Sequence, residues 1–389
     1  MDRRNFLQGS LGVAAAAVAP QGLAGAPGAP SPQGPGESSR DVWLNGDIAP
    51  ADSAKMTARL AALARRHGAD AIDRYLAEGE VLALERAFAA LLGKEDCAFL
   101  ATGTLANNVA VRVLCGENRR ALVQRESHLY RDEVDSAQRL SGINLLPMAP
   151  DRAVPTLEEV RAAIGASENG QYPMRIGAVS LESPVRRANG EMVPLARVRE
   201  IAKLARAHGT RLHLDGARLL LAPPSFDMDA YVAEFDTVYV SLYKYLGAPF
   251  GAVLAGSKAD IAEARELRRL YGGSLWQGWM PAMLARDTLP GFRDRIVQAH
   301  GHAAQLIAAL VATGRVRDRT SPDASNIHLL EMPEALAEAA YQRGRNAGIR
   351  MRRWQEGVVP LFVNTTILQR PVEEYVALFR AEDGQRETG

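Results

Sequence analysis

Short apolar runs alternate with longer amphipathic segments from about Asp41 onward, and this alternation constrains the fold more than any other feature. The short runs are rich in β-branched or aromatic residues and read CAFLA, RALVQ, IGAVSLE, TRLHLDG and DTVYVSLY. The longer segments carry apolar residues at helical spacing and include AKMTARLAALARRHG, VLALERAFAALLGK and VPLARVREIAKLARAHG. This alternation predicts an α/β fold with a mostly parallel central sheet and flanking helices.

The length of the chain allows more than one domain. It has 389 residues, of which 47% are hydrophobic, enough for one large and one smaller core. After Trp279 the pattern changes to helices with few strands, SNIHLLEM and VPLFVNTTI. We therefore expect a large α/β domain over residues 40–290 and a smaller C-terminal α+β domain over residues 291–389.

The first 39 residues have a different composition from the rest. The pair Arg3-Arg4 precedes a weakly hydrophobic, alanine-rich run that ends at Pro20 and is short for a membrane span. This order resembles a twin-arginine export signal, and the Gly/Pro/Ser-rich stretch to about Ser39 resembles a linker. We expect an exported or periplasmic protein without a stable membrane span.

Charge and cysteine content narrow the class of partner. The formal net charge is +1 and no long basic block occurs, which argues against nucleic acid as a partner. Cys97 and Cys115 lie in apolar runs without a C-x-x-C motif or a histidine cluster, so we expect buried free thiols and no metal site.

Lys244 lies at the end of a strand-like run, in VYVSLYKYLGAPFGAVLAG. Burial of an ammonium group is costly, and a desolvated lysine has a lowered pKa and can condense with an aldehyde. For an isolated lysine, a side chain that reaches from a strand edge to solvent is the simpler interpretation. The neighbouring motifs therefore decide between a reactive buried lysine and one that reaches solvent.

Three motifs at predicted strand ends supply that context. In FLATGTLANN, Gly103 and Thr104 begin a helix whose N-terminal N–H groups suit a phosphate, although such residues also cap ordinary helices. In RLHLDGARLL, Asp215 ends a strand and can be a metal ligand, a base, a partner for a ring nitrogen, or a cap paired with Arg218. Ser241, three residues before the lysine, can add a phosphate contact. Together the motifs predict pyridoxal 5′-phosphate as cofactor.

The same motifs resemble a known family. HLDGARLLLA followed by SLYKYLGAPFGAVLAGSK, with ATGTLANNVA and ESHLY upstream, resembles the threonine aldolase and aromatic amino-acid β-eliminating lyase family of fold-type I pyridoxal-phosphate enzymes. The resemblance implies a pyridoxal-phosphate-dependent transferase-like fold. It also implies that Lys244 is the Schiff-base lysine, that Asp215 contacts the ring nitrogen and that Gly103 and Thr104 bind the phosphate.

Other roles follow from the resemblance alone. It implies that His128 stacks on the cofactor ring and is the candidate for proton transfer, and that Arg218 helps to hold the substrate carboxylate. Glu182, at the end of a strand-like run, is expected to line the site. Because the family forms its sites between subunits, a homodimer or homotetramer is implied.

The chain departs from the family pattern where the substrate binds. DVWLNGDIAPADS replaces an early Ser-Asp-Thr segment, and Trp276 in GGSLWQ stands in place of an arginine. The best match to the family's C-terminal substrate-binding arginine is Pro360, and Tyr243 differs from the residue usual before the lysine. We therefore predict a retained cofactor half and a rebuilt substrate half.

The resemblance favours one reaction and leaves others open. It implies a lyase that cleaves the Cα–Cβ bond of a β-hydroxy-α-amino acid to glycine and an aldehyde. β-Elimination, racemisation and transamination use the same cofactor, and a cofactor-binding protein without turnover is a further alternative. Because Pro360 replaces an arginine and Trp276 is large, we expect threonine to be a poorer substrate than phenylserine.

Overall fold

A computed structural model describes residues 40–68 and 73–380 of the chain. The predicted export signal and linker, residues 1–39, lie outside the described residues. The strands are β1 (Val42–Leu44), β2 (Asp96–Leu100), β3 (Arg120–Gln124), β4 (Asn144–Met148), β5 (Ala178–Glu182), β6 (Arg211–Asp215), β7 (Thr237–Ser241), β8 (Ala252–Gly256), β9 (Arg317–Asp318), β10 (Ile327–Glu331), β11 (Ile349–Met351) and β12 (Val358–Phe362). The helices are α1 (Ser53–His67), α2 (Gly79–Leu91), α3 (Gly103–Cys115), α4 (His128–Arg131), α5 (Ser136–Ser141), α6 (Leu157–Glu168), α7 (Leu195–Ala207), α8 (Met228–Val232), α9 (Lys258–Leu270), α10 (Trp279–Thr288), α11 (Phe292–Val311), α12 (Glu334–Asn346) and α13 (Val372–Leu378).

A seven-stranded sheet organises the fold, in the order β2-β8-β7-β6-β5-β3-β4. Strand β8 runs antiparallel to β2 and β7, and the other adjacent pairs are parallel. Strands β5, β7 and β8 are buried along their whole length, as expected for a sheet covered by helices on both faces. The predicted mostly parallel α/β sheet is thus confirmed.

Alternate residues of the strands enter two separate cores, because side chains in a strand point to opposite faces. Val238 and Val240 of β7 pack in one core with Phe88 of α2, while Tyr239 packs in the other with Val109 of α3. Helix α3 therefore lies on the face that Tyr239 occupies.

The C-terminal residues build a smaller group of strands and helices. Strands β9, β10 and β12 form an antiparallel sheet, and β1 pairs in parallel with β11. Val42 and Leu44 of β1 pack with residues of α11 and α12, far away in sequence. The predicted domain division at residue 290 stays a prediction. The helices within residues 40–68 and 73–380 are too short or too polar to span a bilayer.

Candidate active site

A cavity of about 360 Å³ lies where the parallel strands end. Glu182 and Asp215 are the last residues of the adjacent strands β5 and β6 and stand opposite each other in register. This is the edge at which open α/β sheets bind ligands. Every predicted site residue except Ser241 lines the cavity: Gly103, Thr104, His128, Glu182, Asp215, Arg218 and Lys244.

The N-terminus of α3 forms one wall of the cavity. Thr102 caps the helix by accepting a hydrogen bond from the Leu105 N–H group at 3.1 Å. The N–H groups of Gly103 and Thr104 make no hydrogen bond to any residue that the structure describes. A 13-residue helix whose first N–H groups are unpaired presents positive charge to an anion such as phosphate.

Tyr239 is a lining residue that the sequence interpretation missed. A Cβ atom added to Gly103 would overlap the Tyr239 hydroxyl, so this glycine allows the hydroxyl to reach the first turn of α3. Burial raises the pKa of Tyr239 well above its ordinary value, which keeps the hydroxyl protonated as a donor. Ser241 lies two residues later on the same strand but is fully buried and outside the lining.

Asp215 is held by two donors. Its Oδ1 accepts from the Ala217 N–H group at 3.1 Å, and its Oδ2 accepts from Asn107 Nδ2 at 2.8 Å. Asn107 Nδ2 also donates to Glu133 Oε1 at 2.8 Å, so one buried amide bridges two carboxylates. Asn107 lies one helical turn after Gly103, within the motif that predicted the phosphate site, but its role beside Asp215 was not predicted.

His213 fixes the orientation of that amide. Burial lowers the pKa of His213 to about 4, so the ring is neutral near pH 7. Its Nε2 lies 3.1 Å from Asn107 Oδ1 and its Nδ1 lies 2.9 Å from Thr237 Oγ1. Because Asn107 Nδ2 donates to the two carboxylates, Asn107 Oδ1 accepts from the N–H group at Nε2.

His128 is paired with a buried carboxylate. Its Nδ1 lies 2.9 Å from Glu133 Oε1, and the Glu133 side chain is completely buried. The hydrogen bond that His128 donates to Glu133 raises the pKa of His128, whereas burial opposes that shift. With Nδ1 engaged, Nε2 is the ring nitrogen that remains to exchange a proton in the cavity. Glu133 was not predicted from the sequence.

Glu182 organises the backbone around the site. Its Oε2 accepts from the His128 N–H group at 2.6 Å and its Oε1 accepts from the Arg186 N–H group at 2.9 Å. Burial, followed by the charge of Asp215, raises the pKa of Glu182 to about 7. Both carboxylate oxygens therefore already have donors, and Glu182 holds the segment that carries His128.

The surroundings of Lys244 favour the uncharged form of its amine. Burial, followed by the positive charge of Arg218, lowers the pKa of its amine to about 8. A larger fraction of the amine is therefore uncharged near neutral pH than for an ordinary lysine. Its Nζ lies 5.8 Å from the centroid of the Tyr243 ring, which also lines the cavity.

Arg218 is paired within the chain. Its Nε donates to Asp47 Oδ2 at 2.8 Å. Two arginines near the C-terminus, Arg352 and Arg353, do not replace the missing family arginine in the cavity lining: Arg352 donates to the Asn45 carbonyl, and Arg353 lies over the Tyr341 ring.

Two positions at which the chain departs from the family pattern, Pro360 and Trp276, lie outside the cavity lining. Pro360 is in β12, paired in register with Leu329. Trp276 packs edge-to-face on Tyr75, with ring centroids 4.9 Å apart, and is 55% exposed. The aromatic residues that do line the cavity include Tyr243 and Phe250.

These residues fit pyridoxal 5′-phosphate. Lys244 has the lowered pKa that reaction with an aldehyde requires, Asp215 is a fixed carboxylate suited to a protonated ring nitrogen, and the α3 N-terminus suits a phosphate. The fold and the site together define a pyridoxal-phosphate enzyme of fold type I.

The comparison with family models agrees with this assignment. The model of the beta-eliminating lyase family matches residues 50–335, and the chain therefore belongs to that family. A model of the twin-arginine translocation signal matches residues 1–20, which supports the predicted export signal.

Curated relatives include aldolases and one racemase. The chain is 24% identical over 304 residues to low-specificity L-threonine aldolase 1 from Arabidopsis thaliana, covering 76% of this chain and 85% of that protein. It is 31% identical to the aldolase vrtJ from Penicillium aethiopicum, covering 72% of each. It is 34% identical over 212 residues to the alanine racemase TOXG from Cochliobolus carbonum, covering 52% of each.

Solved structures confirm the fold type. A protein from Exiguobacterium sp. 255-15, described as an aromatic amino acid beta-eliminating lyase/threonine aldolase, is 27% identical with a TM-score of 0.73, covering 87% of this chain and 95% of that one. An L-allo-threonine aldolase structure from Listeria monocytogenes EGD-E is 23% identical with a TM-score of 0.72, covering 87% and 94%. The second likeness shows the fold alone. The roles predicted for individual residues stay predictions.

Proposed function

We propose that the protein is a pyridoxal-phosphate-dependent lyase that cleaves the Cα–Cβ bond of a β-hydroxy-α-amino acid into glycine and an aldehyde. One observation carries the proposal: Lys244, Asp215 and the α3 N-terminus meet at a single cavity in a chain of the beta-eliminating lyase family. The aldolase names of several relatives favour this reaction among those that the cofactor supports.

Each residue has a chemical task in this proposal. Lys244 would bond to the cofactor aldehyde, Asp215 would keep the ring nitrogen protonated, and the Gly103 and Thr104 N–H groups would hold the phosphate. When bound, the cofactor accepts the electron pair of the bond that breaks at the substrate Cα. Asn107 holds Asp215 so that the carboxylate does not turn away from the ring nitrogen.

His128 moves the proton. Glu133 accepts at Nδ1 and orients the ring, so Nε2 accepts the proton that the substrate β-hydroxyl loses as the aldehyde forms. A proton returned to Cα completes glycine, and the reaction balances without a further reactant.

Racemisation is the second candidate, because the 34% identity to the alanine racemase TOXG covers half of the chain. A panel of amino acids separates the reactions when aldehyde, keto acid, ammonia and inverted amino acid are measured separately. Aldehyde and glycine in equal amounts support the lyase. Inversion without aldehyde would support racemisation, and keto acid with ammonia would support β-elimination.

Substrate size is the finer part of the proposal. Arg218 is already paired with Asp47, so a small substrate that depends on its carboxylate is held weakly. Tyr243 and Phe250, rather than Trp276, supply aromatic surface for a larger side chain. We expect kcat/KM to be higher for phenylserine than for threonine, and the reverse order would contradict this preference.

The assembly and location are proposed as well. We propose a homodimer or homotetramer, which would cover the exposed aromatic pair Tyr75 and Trp276, 58% and 55% exposed. Light scattering of the purified protein tests the assembly, with a monomer as the contrary result. The signal match supports export, and we propose the periplasm as destination, to be tested by cell fractionation.

A further inference from the structure

Asp47 and Arg218 form an ion pair between two cavities. Asp47 Oδ2 and Arg218 Nε are 2.8 Å apart, and each side chain is 12% exposed. Arg218 lines the active-site cavity, whereas Asp47 lines a second cavity of about 150 Å³. The pair therefore lies in the wall between the two.

The ion pair uses only the Nε–H group of the Arg218 guanidinium among the described contacts. In the part of the chain that the structure describes, no residue accepts a hydrogen bond from Nη1 or Nη2 of Arg218. Asp47 Oδ1 is buried and likewise has no partner there. Asp47 thus holds Arg218 through Nε and leaves Nη1 and Nη2 available to a ligand.

Arg218 is surrounded by negative charge. Burial acts to lower the pKa of its guanidinium, but the charges of Asp47, Glu182 and Asp215 outweigh burial and raise it. Among the described residues, Lys244 and His128 are the other cationic or titratable basic side chains that line the cavity. In the proposed function Lys244 would bond to the cofactor and Asp215 would pair with its ring nitrogen, so Arg218 would face a substrate carboxylate while already paired with the charge of Asp47.

We propose that Asp47 sets the specificity for the carboxyl end of the substrate, so that the site binds an α-amino acid amide about as well as the free acid. This inference rests on the proposed function, because it concerns the substrate of the same site. A carboxylate at Nη1 and Nη2 gains hydrogen bonds, but repulsion from Asp47 offsets its attraction to Arg218. A carboxamide oxygen accepts the same N–H groups without that repulsion.

Binding of glycine and glycinamide tests the inference. Neither ligand has a Cα–Cβ bond, so their dissociation constants, read from the visible absorbance of the holoenzyme, do not depend on lyase turnover. Both constants are corrected for the unprotonated fraction of the ligand amine. For the wild type we expect the two dissociation constants to agree within about threefold. Such a difference is smaller than the tenfold that corresponds to about 1.4 kcal/mol.

Asp47→Asn removes the charge but keeps an oxygen that accepts from Arg218 Nε. In this variant we expect glycine to bind at least about tenfold better than glycinamide, because the attraction of Arg218 is no longer offset. Asp287→Asn is the matched control, since Asp287 pairs with Arg59 at 2.6 Å and does not line the active-site cavity. Its ratio of the two dissociation constants should equal that of the wild type.

Two results would overturn the inference. A wild-type preference for glycine above about 30-fold would show a cation that Asp47 does not neutralise, whether or not Asp47→Asn folds. An unchanged ratio in a folded Asp47→Asn variant would show that the charge of Asp47 has no part in specificity. A holoenzyme that shows the expected ratio but cleaves no β-hydroxy amino acid would refute the proposed function and support this inference.

Discussion

The two ends of the cavity differ in how completely their polar groups are paired. Around Asp215, the side chains of Asn107, Glu133, His128 and His213 form one continuous set of hydrogen bonds. At the Arg218 end, one hydrogen bond joins the guanidinium to its carboxylate and leaves polar atoms of both without partners among the described residues.

A complete network fixes orientation and protonation before a ligand arrives, whereas an incomplete one leaves atoms for the ligand to pair. The contrast indicates that the cofactor chemistry is set by the paired end and the choice of substrate by the unpaired end. Substitutions in the paired end should therefore change turnover more than substrate choice.

The largest effect is expected from Lys244→Ala. Loss of the amine removes the covalent bond to the cofactor, and we expect kcat to fall at least about 1000-fold. Borohydride reduction of the wild type should fix the cofactor to the peptide that contains Lys244. Lys94→Ala is the control, because burial also lowers the pKa of Lys94 but its amine donates to the Phe235 carbonyl. Cofactor fixed to another lysine would refute the assignment.

Asp215→Asn should give the second-largest effect. The amide cannot hold the ring nitrogen protonated, and loss of such a preorganised contact lowers kcat about 100- to 1000-fold. The variant should still bind the cofactor, which absorbance measures. Asp227→Asn, which changes an exposed cap of α8, is the control. Activity near that of the wild type would make Asp215 a structural cap.

Five of the seven strands of the large sheet were predicted from the sequence, and β4 and β8 were not. RALVQ coincides with β3, and the other predicted runs overlap β2, β5, β6 and β7. Strand β4 was not predicted, because it lies at the sheet edge and contains Pro147, which weakens the strand pattern. β1 and β11 are three residues each, too short for a periodicity to appear.

The residues of the candidate site also divide into those that the sequence could predict and those that it could not. Lys244 and Asp215 could be predicted because Asp215 ends a recognisable strand and Lys244 follows another, and these two strands, β6 and β7, are adjacent in the sheet. Asn107 contacts Asp215 across 108 positions, and Asp47 contacts Arg218 across 171, so no local pattern marks either pair. Ser241 has the expected spacing but is buried outside the lining, because Tyr239 takes the place beside α3.

Glu133→Gln tests the paired end through pH. The Glu133 hydrogen bond raises the pKa of His128, so the neutral ring that accepts a proton appears at higher pH in the wild type. In the variant, the rise of kcat/KM with pH and the NMR titration of His128 should both shift to lower pH. We expect kcat to fall about tenfold, because the ring loses its orienting partner.

Glu168→Gln is the matched control for this shift. Glu168 lies 2.9 Å from His208 Nδ1 in a pair at the surface, so the substitution makes the same chemical change away from the cavity. It should leave the pH profile unchanged. An unchanged profile in Glu133→Gln would show that His128 does not carry the proton.

The smallest effect is expected at the phosphate, where two hydroxyls on one strand compete for the role. The Tyr239 hydroxyl lies against the first turn of α3, whereas Ser241 is buried outside the lining. Loss of one hydrogen bond to a charged group corresponds to about 1.5–3 kcal/mol, so Tyr239→Phe should weaken pyridoxal 5′-phosphate binding at least about tenfold. Ser241→Ala should change the affinity for pyridoxal 5′-phosphate little.

Pyridoxal, which lacks the phosphate, is the control ligand. It should bind both variants as it binds the wild type, as measured by absorbance titration of the apoprotein. A larger loss in Ser241→Ala would return the phosphate contact to the serine, and equal losses for pyridoxal would place the effect of Tyr239 outside the phosphate site.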